Sequence, residues 1–165
     1  MRLSRREQLD GSPEDVYAVL TDPAFQEEVC EATTAGDGHS VEVTPRTTGA
    51  RVRTERDLPS DGLPDVARSF VGEKLTVVEV HEWSAPLPDG SRESALDMHV
   101  KGAPLTLKGT LRLEPDGEGT VEVLDAELKA NVPFIGGRIE NAAAGPIDTA
   151  IDIETRLLRE HLSTT

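Results

Sequence analysis

The chain has a single cysteine, Cys30, in 165 residues. An intrachain disulfide is therefore impossible, and nothing points to an oxidising compartment. Aromatic residues make up only 3% of the chain, so Leu, Val, Ile and Ala must fill the interior. Basic residues are scarce: 17 Lys and Arg stand against 31 Asp and Glu, a formal charge of -14. Without clustered cations there is nothing to hold a phosphate backbone, which excludes a nucleic-acid partner. An anionic membrane surface would repel the same charge. The acidic excess serves solubility in the plain reading; an acidic groove for a cationic partner is the alternative. No apolar run approaches the roughly 18 residues of a transmembrane helix, so no membrane insertion is expected. Residues 1–10, MRLSRREQLD, have no apolar centre for a signal peptide, and the expected location is cytoplasmic.

What is present is ordinary globular material, 36% hydrophobic and 29% charged. A chain of this length buries about 70% of its unfolded surface, enough to fold without disulfide or metal. There is no repeat or linker, so residues 1–165 read as one domain.

Residues 3–9 form a first strand, with Leu3 and Leu9 at matching parity. Ser12-Pro13-Glu14-Asp15 is a helix start: Ser12 accepts a first-turn N–H, Pro13 sits where no donor is missed, and the acids suit the positive end of the dipole. Asp22-Pro23 repeats that chemistry, giving two short helices with Val16, Leu20, Phe25 and Val29 on their buried faces. From residue 39 the pattern alternates. Val41 and Val43 mark one strand, and Ala50, Val52 and Thr54 the next. Segment 60–73 reads as a short helix or an ordered loop. Segment 74–83 is a strand with apolar residues on both parities, so its inward face stays unassigned. Leu96, Met98 and Val100 share one face after a turn at Pro88-Asp89-Gly90-Ser91. Leu105, Leu107, Leu111 and Leu113 give the cleanest alternation, with Gly109 in the same-face slot, and 120–132 is a last strand. Residues 134–162 return to helical spacing, and Gly145-Pro146 is expected to kink or divide that helix. Its 138–162 portion is roughly 37 Å long, matching the length of a sheet. The expected fold is α+β: a curved antiparallel sheet of about six to seven strands wrapped around a long C-terminal helix, with two short helices after the first strand.

This order resembles the START-like, or helix-grip, superfamily, which includes polyketide cyclase-like proteins. The opening residues Ser12-Pro13-Glu14-Asp15-Val16, Leu20-Thr21-Asp22-Pro23 and Phe25 carry the likeness, followed by the strands and terminal helix. More narrowly the chain resembles the actinobacterial DUF2505 family. That likeness rests on 71–77 (VGEKLTV), on Gly102-Ala103-Pro104 leading to Gly109-Thr110-Leu111, and on 132–140 (VPFIGGRIE). The resemblance covers essentially the whole chain. It implies a cavity between sheet and helix and no particular activity, since the superfamily hosts carriers, cyclases and regulators alike.

Tests for chemistry give little. His39, His81, His99 and His161 are scattered and match no HExxH or CxxC spacing, so no metal is expected. His99 falls on the parity opposite Leu96, Met98 and Val100 and reads as solvent-facing. There is no GxSxG elbow. Cys30 lies near Glu27, Glu28 and Glu31, whose charges would raise its pKa, and reads as structural. Gly36-x-Gly38 and Gly136-Gly137 lack the rest of a phosphate loop; Gly136-Gly137 suits a tight turn into the last helix. No catalytic set and no cofactor are assigned, and no protein partner is specified.

Arg56 shares parity with Ala50, Val52 and Thr54, which aims it at the apolar face. It either serves as counter-ion to an acidic ligand headgroup or snorkels to water at the strand end. Gly109, Ala142-Ala143-Ala144-Gly145 and Ala150 mean either close packing or space for a ligand. Asp125 and Glu127, on the parity of Val121 and Val123, are candidates for a cavity acid or base. The leading expectation is a non-catalytic site for a small hydrophobic molecule, with Val52, Arg56, Met98, Leu107 and Leu111 lining it from the sheet. Phe134, Ile147 and Ile151 would line it from the helix side. A cyclase- or lyase-like enzyme and a protein adaptor with a filled core are the alternatives.

Overall fold

The computed structural model describes residues 1–34 and 38–164. Gly36 of the Gly36-x-Gly38 pair lies outside the described residues. Strand β1 (Arg2–Leu9) leads into α1 (Pro13–Leu20) and α2 (Pro23–Thr34). The start of α1 is a capping box: the Asp15 N–H donates to Ser12 Oγ (3.2 Å) and the Ser12 N–H to Asp15 Oδ2 (2.9 Å). At α2 the Ala24 N–H donates to Asp22 Oδ1, 2.9 Å away. Each of these helix starts thus sets a side-chain acceptor on an otherwise orphaned N–H.

The strands β2 (His39–Pro45), β3 (Ala50–Pro59), β4 (Lys74–Trp83), β5 (Arg92–Val100), β6 (Leu105–Asp116) and β7 (Gly119–Ala130) complete one antiparallel sheet. Its order is β1-β7-β6-β5-β4-β3-β2, so β1 closes against the last strand. Segment 60–73 contains a helix, α3 (Asp65–Val71). The long helix α4 (Gly136–Ser163) lies against β7, α1 and α2. Pro146 lies inside it without dividing it. The proline removes one backbone hydrogen bond, while buried Ile139 and Ala143 on one side and Leu157 and Leu158 on the other keep both halves in a single helix.

Alternation fixes the inward face of each strand. In β3 it is Val52, Thr54 and Arg56; in β5, Leu96, Met98 and Val100; in β6, Leu107, Leu111 and Leu113. The ambiguous β4 turns its odd residues inward, and these include Glu79 and His81. In β7 the even residues Leu124, Ala126, Leu128 and Ala130 face the core.

Packing differs between the two ends of α4. Near its C-terminal half Leu9, Val16, Phe25, Leu113 and Leu158 are fully buried against one another. Near its N-terminal half the sheet and helix stand apart. The small residues divide accordingly. A Cβ on Gly109 would lie 2.1 Å from the Asp125 carbonyl oxygen, so this glycine allows β6 and β7 to approach. Ala142, Ala143, Gly145 and Ala150 instead face open space.

Candidate functional site

The space between sheet and helix is a cavity of about 720 Å³. Its volume falls within the roughly 300–1,000 Å³ of small-molecule sites. The walls come from β1 and β3 to β7, from the end of α2, from α3 and its flanking loop, and from the first five turns of α4. Most of the lining is aliphatic. Arg56, Met98, Leu107, Leu111, Ile147 and Ile151 all line it. Val52 does not; it borders an adjoining void of about 20 Å³, large enough for a single water.

Phe134 is a correction to the sequence reading. It is fully exposed and adopts φ 67°, a left-handed conformation that is unusual for a bulky residue. The turn between β7 and α4 accounts for this. The Ile135 N–H bonds the Pro133 carbonyl and the Gly136 N–H bonds the Val132 carbonyl, and residue 134 at the apex projects outward. A Cβ on Gly136 would sit 2.5 Å from the Ala130 carbonyl oxygen, which is why the following position has no side chain.

Asp125 and Glu127 lie on the outer face of β7. Asp125 accepts from Arg2 Nε and Nη2 at 2.8 and 2.6 Å, and Glu127 is exposed. The inward carboxylate of this strand is Glu122.

The polar wall of the cavity is a cluster drawn from several strands and from α2 and α4. Arg56 is 8% exposed; its Nη2 donates to Glu79 Oε2 and its Nη1 to Thr33 Oγ1 (3.2 Å), while its Nε has no partner among the described residues. Arg56 is therefore already neutralised by Glu79 and is not a free counter-ion for an acidic ligand. Glu79 Oε1 lies 3.0 Å from His81 Nε2, and Ser94 Oγ lies 2.9 Å from His81 Nδ1. Facing them are Glu122 and, on α4, Glu154. Among the described residues neither carboxyl has a hydrogen bond or ion pair. Both are partly buried and line the cavity.

These surroundings set the protonation states. Burial, together with the charges of Glu154 and Glu7, pushes Glu122 up to about 8. In the sheet register Glu7 is directly opposite Glu122, a like-charge pair. Burial and the charge of Glu79 also raise Glu154. Burial works against ionised Glu79, but the charge of Arg56 and the His81 hydrogen bond hold it below the usual carboxylate range. Burial likewise works against protonated His81, yet the hydrogen bond and charge of Glu79, with Glu154 and Glu122 beyond, raise its pKa. At neutral pH the cavity therefore holds a protonated Glu122 beside the Arg56–Glu79 ion pair.

Sequence reasoning missed Glu79, His81, Glu122 and Glu154. Glu154 had a signal, since it interrupts the apolar stripe Ile147, Ile151, Leu158 at helical spacing. His99 is exposed on the outer face. Cys30 is buried, and burial more than Glu79 or Glu27 pushes its thiol up to about 11. Among the described residues no group of three or more His, Cys, Asp or Glu side chains is placed to hold a metal ion, and no helix is long and apolar enough to cross a membrane.

Comparison with known proteins places this geometry. A Thermus thermophilus protein of known crystal structure superposes with TM-score 0.61 at 20% identity, covering 99% of this chain and 98% of that one. The Zhui aromatase/cyclase from Streptomyces gives TM-score 0.61 at 12% identity, covering 99% and 93%. A STAR-related lipid transfer protein from Xanthomonas axonopodis gives TM-score 0.58 at 18% identity, covering 98% and 85%. The fold is thus the helix-grip fold of START and polyketide cyclase-like proteins. An uncharacterized protein of Mycobacterium tuberculosis is 26% identical over 124 residues, 74% of this chain. This chain spans about two thirds (66%) of that relative's length. The profile described as "Protein of unknown function (DUF2505)" matches residues 5–162, and the chain belongs to the DUF2505 family.

Proposed function

We propose that the protein binds a small, largely apolar molecule between the sheet and α4. The observation that carries this reading is the cavity of about 720 Å³ with its mainly aliphatic walls. An empty apolar space of this size forgoes the dispersion contacts and cavity closure that a filled core would gain. Structural neighbours described as a lipid transfer protein and as an aromatase/cyclase have the same fold, which is consistent with the reading. Native mass spectrometry of freshly purified protein, followed by solvent extraction, tests it. The expected result is a co-purifying apolar molecule that is lost in Ala142→Trp, where a large side chain enters the cavity. A ligand-free mass, with no thermal shift across aliphatic and polycyclic probes, would overturn it.

A second reading, acid–base catalysis of the lyase or cyclase kind, is favoured by Glu122 and His81 standing on one cavity wall. A protonated carboxyl and a His–Glu pair with separated pKa values supply an acid and a base. Turnover of a bound ligand that Glu122→Gln abolishes without loss of binding would establish this reading. The adaptor alternative required a filled core, and the cavity removes that support.

A further inference from the structure

The charge inventory of the polar wall gives the chemical class of the ligand. The other charged groups on this wall already have ion-pair partners: Arg56 has Glu79, and Glu7 has Arg5 (3.0 Å) and Arg159 (2.9 Å). Asp148 and Asp152 on the outer turns of α4 complete the coordination of Arg5. What remains facing the cavity is two carboxyls, Glu122 and Glu154, and one imidazole, His81. With all three ionised the wall is one positive charge short. The carboxyls also have acceptor oxygens that no group among the described residues fills. Glu122 eases the deficit by holding its proton, which a cation of matching position would displace.

We propose that the cavity takes an apolar molecule bearing one amine, whose ammonium group donates hydrogen bonds to the carboxylates of Glu122 and Glu154. This rests on the reading of the cavity as an apolar-ligand site. The apolar body of the ligand lies along Leu107, Met98 and Ile151 toward the N-terminal half of α4, and its amine lies at the acidic wall. A ligand bearing a carboxylate is disfavoured, because Arg56 is occupied and the two free groups are acids. The groups that act on Glu122 are Glu154 and Arg159 from α4, His81 from β4 and Glu7 from β1. Those that act on Glu154 are Glu79 and His81 from β4 and Arg56 from β3. Binding therefore ionises Glu122, and a proton is released.

Titration calorimetry with n-decylamine, n-decanol and n-decanoate, each in two buffers of different ionisation heat, tests the proposal. The amine is expected to bind at least about tenfold more tightly than the carboxylate. Proton release should accompany the amine and not the alcohol. Glu122→Gln and Glu154→Gln should each weaken amine binding about tenfold while decanol binding stays within about twofold, which also shows that the variants keep the cavity. Decanoate binding as tightly as the amine, or amine binding indifferent to both substitutions, would overturn the amine assignment and leave the apolar-ligand reading standing. If none of the three probes binds, both fall together.

Discussion

Replacing Glu122 by Gln should stabilise the protein, and by an amount that grows with pH. Glu122 rises from 4.5 to about 8 on folding. An acid whose folded pKa exceeds its unfolded pKa holds its proton more tightly in the folded state. Its contribution is complete below 4.5 and is lost as pH rises through about 8. Each pKa unit is worth about 1.4 kcal/mol, so the full window approaches a ceiling of roughly 5 kcal/mol. Gln keeps the shape of the protonated acid and cannot ionise, so the variant lacks this slope. It also relieves Glu154, whose like charge raises Glu122. The assay is urea unfolding followed by the fluorescence of Trp83, a buried reporter 5.5 Å edge-on from Tyr17 and stacked on His81. At about pH 5 the two proteins should differ by less than about 1 kcal/mol, and by about pH 8 the variant should lead by roughly 2–4 kcal/mol. Parallel stability curves across this range would refute the reasoning, because they would place Glu122 in contact with bulk water.

Substitutions at three other positions probe different parts of the fold. Arg56→Ala leaves Glu79 enclosed without its cation and should cost about 3 kcal/mol or more in urea unfolding at neutral pH. A loss below about 1 kcal/mol would show that His81 alone satisfies Glu79. Gly109→Ala places a Cβ 2.1 Å from the Asp125 carbonyl oxygen, so it should destabilise by about 1–3 kcal/mol, read as a lowered thermal midpoint. Phe134→Gly relieves a left-handed conformation of about 1–2 kcal/mol against a glycine entropy cost of about 0.5–1 kcal/mol. A net gain of up to about 1.5 kcal/mol is expected, whereas Phe134→Ala, which keeps the strain and loses only exposed surface, should change little.

The parts of the fold legible in the sequence are those specified locally. Ser12 and Asp15 form their capping box within four residues, and Asp22 caps its own helix, so both helix starts could be read without knowing the rest of the chain. The alternation of Leu105, Leu107, Leu111 and Leu113 likewise depends only on strand pleating. The strand β4 was not legible because its inward face carries Glu79 and His81 while Val78 and Val80 lie on the other. Only the pairing that sets Arg56 on β3 beside Val77 brings Glu79 to its cation. Asp125 was read on the inward parity because Val121 and Val123 share it. The pairing of β1 with β7 brings Arg2 beside Asp125 outside and leaves Glu122 as the inward acid. Gly109 and Ala142 look equivalent in sequence as small residues. One lies where two strands close together and the other where sheet and helix stand apart, a difference made by long-range packing.

A core that is solid at one end of α4 and hollow at the other means that substitutions along the same helix carry two different costs. Around Leu158 and Leu162 a change of side-chain volume opens or overfills a closed interior, so the fold itself restricts what can be substituted. Around Ala142 and Ile147 the neighbouring volume is unoccupied by protein, and a new side chain alters which molecule fits before it alters whether the chain folds. Under the proposed ligand-binding function, drift in the hollow half would change the ligand while the solid half preserved the architecture.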